Sequence, residues 1–107
     1  MQLNEYQKEV SKAAFYKGDD VAYCALGITG EAGEIADHVK KMLRDDDGIL
    51  TDNRKEHLLK EMGDTMWYIS RMAEKLGYTL DEVALTNLNK IKDRADRNMQ
   101  RGSGDDR

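Results

Sequence analysis

The chain has 107 residues, of which 36% are charged, with a net charge of -4 and no proline. This length suits one domain with one modest core, and the abundance of charge with few aromatic residues favours amphipathic helices, so we predict an all-α fold. The negative charge and the pI near 5.2 argue against polymeric nucleic acid or an anionic membrane as the main partner, because neither would attract this surface.

Two helices are predicted in the first half of the chain. The first runs from Leu3 to about Lys17, with Asn4 as its N-cap and Gly18 at its end. The second runs from Val21 to Leu43, because apolar residues recur there at helical spacing. It contains three glycines, each of which costs about 1 kcal/mol against alanine in a helix interior, namely Gly27, Gly30 and Gly33. We therefore expect a neighbouring helix or a ligand to approach this helix closely.

A polar connection over residues 44–52 separates the second helix from the third. Its run of acids lacks the ligand alternation and closing glutamate of a calcium-binding loop, so we interpret it as a solvated loop. The third helix is predicted to begin between Thr51 and Arg54 and to end at Leu76, where Gly77 supplies a stop.

The start of the fourth helix is the clearest local signal in the chain. Thr79 is its cap, and Glu82, three residues later, completes a capping box. The residues that this helix is predicted to bury are Ala84, Leu88, Ile91 and Ala95. The sequence therefore predicts four main antiparallel helices.

One domain accounts for the whole chain. We predict a single helical domain over residues 1–100 and a disordered polar tail over residues 101–107. No apolar run approaches the roughly 20 residues needed to span a bilayer, and no signal peptide is visible, so the cytoplasm is the expected location. The single cysteine, Cys24, has no internal disulfide partner, and we expect a buried, unreactive thiol.

A duplicated acidic motif is the most informative feature of the sequence. Glu31-Ala-Gly-Glu34 returns thirty residues later as Glu61-Met-Gly-Asp64. At about 100° per residue, both acid pairs fall along one edge of an apolar stripe. The predicted stripe consists of Ile28, Ala32, Ile35 and Val39 in the second helix and of Leu58, Met62, Ile69 and Leu76 in the third. Two helices with the same residue pattern would then place four carboxylates beside a shared hydrophobic seam.

Four carboxylates in this position predict a metal site. Crowded acids repel one another and lose hydration, which is costly unless a cation lies among them. Carboxylate oxygens favour a hard divalent cation. Mg²⁺ is the expected ion, with Mn²⁺ as its substitute.

Other polar residues lie near the acids on the same helices. His38 and Tyr68 follow Glu34 and Asp64 by one turn, where they either touch a ligand or simply border the core and bond to a neighbouring side chain. Lys41 and Arg71 form the next equivalent pair, which places cations beyond the acids.

A stripe of polar residues follows one side of the fourth helix. Asn87, Lys90 and Arg94 are spaced by three and four residues. Such a stripe is usually a solvated face, but an amide, an ammonium and a guanidinium in line also suit phosphate oxygens.

On a helical-wheel projection of the third helix, Trp67 points away from both the apolar stripe and the acids. An exposed tryptophan in a monomer is unfavourable, so we predict that Trp67 lies in a subunit interface of a homodimer or homotetramer.

Three segments of the chain together resemble the MazG-like nucleoside triphosphate pyrophosphohydrolases. They are residues 26–37 (LGITGEAGEIAD), residues 61–68 (EMGDTMWY) and residues 87–94 (NLNKIKDR), and the two acid pairs are separated by 26 residues. The resemblance covers the chain from about Leu3 to Arg97.

The resemblance implies a helical bundle completed by oligomerisation and a Mg²⁺-dependent hydrolysis of a nucleoside triphosphate to its monophosphate and pyrophosphate. It implies Glu31, Glu34, Glu61 and Asp64 as metal ligands and catalytic residues, with Glu34 and Glu61 as the candidates for the general base. Its third segment implies Asn87, Lys90 and Arg94 as substrate-binding residues, and from their positions beyond the acids we expect Lys41 and Tyr68 to contact the substrate as well.

Three alternatives compete with this interpretation. A phosphoribosyl-ATP pyrophosphohydrolase shares the fold and the metal chemistry, but its sequence differs after the second acid pair. A di-iron carboxylate bundle needs Glu-x-x-His pairs, and neither His38 nor His57 lies three residues after a glutamate. A non-enzymatic helical oligomerisation module would leave the duplicated acidic motif unexplained.

Overall fold

The computed structural model describes residues 1–13, 21–97, 102, 104 and 105. Four α-helices account for nearly all of them, and these residues contain no strand, so the all-α prediction is confirmed. The helices are α1 (Leu3–Lys12), α2 (Val21–Asp45), α3 (Asp52–Lys75) and α4 (Leu80–Asp96).

The long helices α2 and α3 form an antiparallel hairpin, which is the largest helix contact in the molecule. Residues early in α2 meet residues late in α3: Gly27 lies against Tyr68, whereas His38, further along α2, contacts Glu61. The shorter helix α1 packs on α3 and α4, and α4 packs on α1 and α3. Among the described residues, α2 and α4 do not pack on each other.

The hairpin is closed by a short, well-defined loop. Asp47 and Gly48 have positive φ angles of 55° and 72°, and the Gly48 amide donates to the Met42 carbonyl at 3.2 Å. Such left-handed residues reverse the chain at a helix end. The loop is therefore shaped by backbone hydrogen bonds, and its Asp46 side chain pairs with Arg54.

The helix boundaries agree with the predictions except in α1. The start of α2 at Val21, the start of α3 at Asp52 and the positive φ of Gly77 are all as expected. However, α1 ends at Lys12. Lys17, its predicted last residue, and Gly18, its predicted stop, lie outside the described residues.

Asn4, the predicted N-cap of α1, instead caps α4, and Gln7 does the same. The N-cap of α1 is Gln2, which makes no side-chain cap bond. Asn4 accepts a hydrogen bond from the Asp81 amide at 3.1 Å, and Gln7 accepts one from the Leu80 amide at 3.1 Å. The prediction failed because the free amides of α4 lie within reach of α1 in the folded chain, a contact between residues more than 70 positions apart. The capping box of Thr79 and Glu82 is confirmed.

The predicted hydrophobic seam does not form between α2 and α3. These helices meet through the edge that carries the acids, and the apolar stripe beside it is turned outwards. Ile28, Ile35 and Leu58 are half-buried, but the exposed members are Ala32, Val39, Met62, Ile69 and Leu76. Because the stripe lies beside the contact edge on each helix and not on it, the two stripes do not face each other within one chain.

The burial predicted for α4 is likewise wrong within the single chain. Ala84, Leu88, Ile91 and Ala95 are all exposed, because α4 has neighbours only on its other side. Trp67, by contrast, is half-buried and lies edge-on against Tyr68 at 5.0 Å between ring centroids. A helical-wheel projection places Trp67 towards solvent because it cannot show the contact with the Tyr68 ring.

Few apolar side chains are buried in the described part of the chain. The buried apolar residues are Val10, Cys24, Ala73 and Leu80, which confirms the expected burial of Cys24. The radius of gyration is 16.6 Å, against about 13 Å for a compact domain of this length. None of the described helices combines the length and the apolar character needed to cross a membrane.

We predict that Gly27→Ala destabilises the protein by about 1–3 kcal/mol, the usual range for overpacking. A Cβ atom at Gly27 would overlap the Tyr68 ring. Gly33→Ala is the matched control, because no described atom lies within 4 Å of its added Cβ, and alanine there should add up to about 1 kcal/mol of helix stability. Urea unfolding of both variants measures the difference, and equal stabilities would contradict the close packing of Gly27 on Tyr68.

Candidate metal centre

The contact edge of α2 and α3 brings three of the four predicted acids together. Oxygens of Glu31, Glu61 and Asp64 all lie within 4.8 Å of one another. Glu31 comes from α2, whereas Glu61 and Asp64 occupy successive turns of α3, so the cluster exists only because the two helices pack. The i, i+3 spacing brings Glu61 and Asp64 together on α3, and the packing of α2 on α3 brings Glu31 to them.

The acids perturb one another electrostatically. Partial burial, and then the charges of Asp64 and Glu61, raise the pKa of Glu31 above its usual value. Burial and the neighbouring Asp64 likewise raise the pKa of the Tyr6 hydroxyl on α1. These shifts mean that negative charge is concentrated where solvent is partly excluded.

The three-carboxylate cluster fits a divalent cation. Two oxygens bound to one Mg²⁺ at about 2.1 Å lie at most about 4.2 Å apart, so oxygens within 4.8 Å of one another reach a common ion by small side-chain adjustments. The donor set is entirely carboxylate, which suits hard cations. The positive charge would also remove the repulsion that raises the pKa of Glu31.

Glu34 does not join the cluster in the described structure. Its side chain is exposed one turn further along α2, and its charge is the smallest of the influences that raise the pKa of Glu31. Its predicted role as a metal ligand stays a prediction.

Two predicted neighbours of the site do border it. Tyr68 lies beside the cluster, since its raised pKa reflects burial first, then Tyr23 and then the charge of Glu31. His38 Nε2 lies 3.3 Å from Glu61 Oε1. Of the two alternatives for His38, the structure therefore has it bonding to neighbouring side chains.

The predicted cations contact other partners. Lys41 Nζ lies 2.7 Å from Asp37, and this pairing, together with Lys40, lowers the pKa of Asp37 to about 2. Arg71 is buried and pairs with Glu74. Neither contact places these cations on the acid cluster.

The cations of the stripe on α4 pair with Asp105. Lys90 Nζ lies 3.0 Å from Asp105 Oδ1, and Arg94 Nη2 lies 3.6 Å from the same oxygen. Asn87 and Lys90 also line a groove of about 490 Å³ with Tyr78, Glu82, Val83 and Thr86. The described structure does not bring this stripe into contact with the acids of the same chain.

Tyr6 and Arg54 are site residues that sequence reasoning missed. The sequence predicts no site role for Tyr6, and it places Arg54 only at a helix start. A signal for Arg54 was its spacing from His57 and Glu61 at three and seven residues, which places all three on one face of α3. No local pattern could have connected Tyr6 with Asp64.

We expect Glu31→Gln to be more stable than the wild type at neutral pH in EDTA. The raised pKa of Glu31 means that the folded state binds its proton more tightly than the unfolded state, so this group lowers stability once it is ionised. The penalty is complete above the raised pKa, and it disappears as the pH falls through that value towards and below 4.5. Urea unfolding between pH 7 and pH 4 should therefore show the two proteins converging at low pH. A constant difference across that range would contradict the crowding of the acids.

The comparisons with known proteins agree with this arrangement. The family model of the MazG nucleotide pyrophosphohydrolase domain matches residues 22–99, which contain all three acids of the cluster and the stripe on α4. The "Gene 37 protein" of Mycobacterium phage L5 is 42% identical over 114 aligned positions, covering the whole of both chains. No solved structure matches the chain significantly. The chain belongs to the family of MazG nucleotide pyrophosphohydrolase domains.

Proposed function

We propose that this protein hydrolyses a nucleoside triphosphate to the monophosphate and pyrophosphate in a reaction that depends on Mg²⁺, with Mn²⁺ as a substitute. The observation that carries the proposal is the cluster of Glu31, Glu61 and Asp64 in a chain of the MazG family. Since nucleoside triphosphates are held inside the cell, we propose the cytoplasm as the site of action.

The proposed reaction breaks one phosphoanhydride bond. Water adds to the α-phosphorus, the bond from that phosphorus to the bridging oxygen breaks, and pyrophosphate leaves. A divalent cation supplies positive charge that neutralises the phosphate oxygens and makes water more acidic. The water proton must pass to a base, and Glu34 suits this role because its exposed carboxylate lies outside the three-acid cluster.

The stripe of Asn87, Lys90 and Arg94 is the proposed binding surface for the phosphates. The contact of Asp105 with both Lys90 and Arg94 supports this, because one oxyanion already fits between the two cations. Tyr68, beside the acid cluster, and Lys41, which pairs with Asp37 on α2, are proposed as further substrate contacts.

We propose that the chain works as a homodimer or homotetramer. Two observations support this: the apolar stripe of α2 and α3 faces outwards, and the apolar side of α4 is exposed. A chain with so few buried apolar residues gains stability when a partner covers these exposed surfaces. The large radius of gyration agrees. In such an assembly, the phosphate-binding stripe of one chain would lie near the acids of another, a contact that the single chain lacks.

Replacing one acid of the cluster should abolish both activity and metal response. We expect Glu31→Gln, Glu61→Gln and Asp64→Asn to lower pyrophosphate release by about 100-fold or more, and to lose most of the rise in melting temperature that Mg²⁺ and a nucleotide give the wild type. Glu34→Gln tests the base and should lose activity while keeping the metal response. Screening the common nucleoside triphosphates with pyrophosphate detection identifies the substrate for these assays.

Glu56→Gln is the matched control for the acid series, since Glu56 is an exposed acid on the same helix. It should behave as the wild type. Full activity and an unchanged metal response in all three cluster variants would show that the acids are ordinary surface, and the proposed function would fail.

The stripe on α4 is tested by Lys90→Ala. Loss of one charge-assisted contact at a partly exposed position should raise KM by about 10-fold, with helix content unchanged. Lys92→Ala, an exposed lysine on the same helix, is the control. If both variants keep the wild-type KM, the stripe is solvated surface.

The interface is tested by a charge in the exposed apolar stripe. Ile69→Lys should lower the molar mass measured by light scattering, because a lysine in an apolar interface loses its hydration. Asn53→Lys adds the same charge at another exposed position of α3 and should leave the mass unchanged. A wild type that is monomeric at micromolar concentration would contradict the proposed assembly.

A further inference from the structure

A continuous chain of polar contacts connects the loop between α2 and α3 to the acid cluster. Asp46 accepts a hydrogen bond from Arg54 Nε at 3.0 Å. Arg54 Nη1 lies 3.2 Å from His38 Nδ1, and His38 Nε2 lies 3.3 Å from Glu61 Oε1. The four side chains are only 13% to 21% exposed, so this is an interior network.

Arg54 determines which nitrogen of His38 carries the hydrogen. A guanidinium N–H can only donate, so His38 Nδ1 accepts from Arg54 and carries no hydrogen. The hydrogen is therefore on Nε2, the nitrogen that faces Glu61. Asp46 in turn fixes Arg54, because its carboxylate accepts from the other side of the guanidinium.

The plane of the His38 ring is fixed by His57. The two rings stack with centroids 4.8 Å apart and an interplanar angle of 17°. A ring held on one face by stacking and at Nδ1 by Arg54 has little freedom to rotate. Its Nε2–H is therefore a donor of fixed position and direction.

We propose that His38 is a positioning residue for Glu61, holding this carboxylate in the orientation that binds a divalent cation with Glu31 and Asp64. The Nε2–H donates to one oxygen of Glu61 and leaves the other for the cation. The contact of 3.3 Å is long for such a bond, as is common before a ligand draws a site together. Groups that orient a metal ligand in this way typically contribute 10–100-fold to metal affinity. The inference rests on the proposed function in that the cation serves the hydrolysis, but its tests require only the cation.

The hydrogen position is measured directly on the metal-free wild type. Long-range nitrogen–proton NMR spectra of the imidazoles distinguish the two tautomers. We expect His38 to be protonated on Nε2 alone, and we expect Arg54→Gln to give a mixture of tautomers. His38 protonated on Nδ1 in the wild type would overturn the proposal.

Mn²⁺ titration calorimetry then tests the positioning. His38→Phe keeps a stacking ring but has no donor, and we expect it to bind Mn²⁺ about 10–100-fold more weakly than the wild type. His38→Gln restores an N–H donor on a flexible chain and should recover most of that loss. His57→Phe, the matched control, keeps the stacking and should bind as the wild type, and melting curves confirm that each variant is folded.

The outcomes separate this inference from the proposed function. Wild-type affinity for Mn²⁺ in His38→Phe, equal losses in His38→Gln and His38→Phe, or no Mn²⁺ binding by the wild type would each overturn the positioning role. If the losses and the rescue occur but no nucleotide is hydrolysed, the positioning role stands and the proposed function fails.

Discussion

The structure depends on the packing of two acidic helix edges against each other. Helices α2 and α3 meet through the side that carries Glu31, Glu61 and Asp64, so like charges lie in the largest contact of the chain. Such a contact is unfavourable unless other interactions offset the repulsion. The Tyr68 ring packed on Gly27 brings the backbones close. His38 Nε2 lies 3.3 Å from Glu61 Oε1, and Arg54 contacts the other nitrogen of the same ring. A divalent cation at the centre would complete the compensation, and stability and function would then share one requirement.

The same packing decides which surface is left for other molecules. Because the acid edges are used within the chain, the apolar stripe from Ala32 to Val39 and from Met62 to Leu76 faces outwards. The chain is accordingly more extended than a compact domain of its length. The rotation of α2 and α3 thus has two effects: it gathers the carboxylates and it leaves the apolar stripe exposed, because turning the helices to bury the stripe would separate the acids.

The short helix α1 ties the remaining parts together. Its polar residues cap the start of α4, and its Tyr6 lies near enough to Asp64 for that charge to affect the hydroxyl. The ten-residue helix α1 thus helps to orient α4, which carries the stripe of Asn87, Lys90 and Arg94. The contact of Asp105 with this stripe indicates that its cations are accessible to an oxyanion.

The sequence by itself determined the helices, their main caps and the identity of the acids, because these depend on interactions between residues a few positions apart. The capping box at Thr79, the positive φ of Gly77 and the i, i+3 spacing of Glu61 and Asp64 are of this kind. Only the tertiary structure decided that Glu31 joins the cluster without Glu34, that Asn4 and Gln7 cap α4, and that His38 meets Glu61. A helical wheel gives the angle of each side chain about its own axis but not the rotation of one helix against the next. That rotation is set by close packing, here of Tyr68 on Gly27, and by contacts between residues far apart in the sequence.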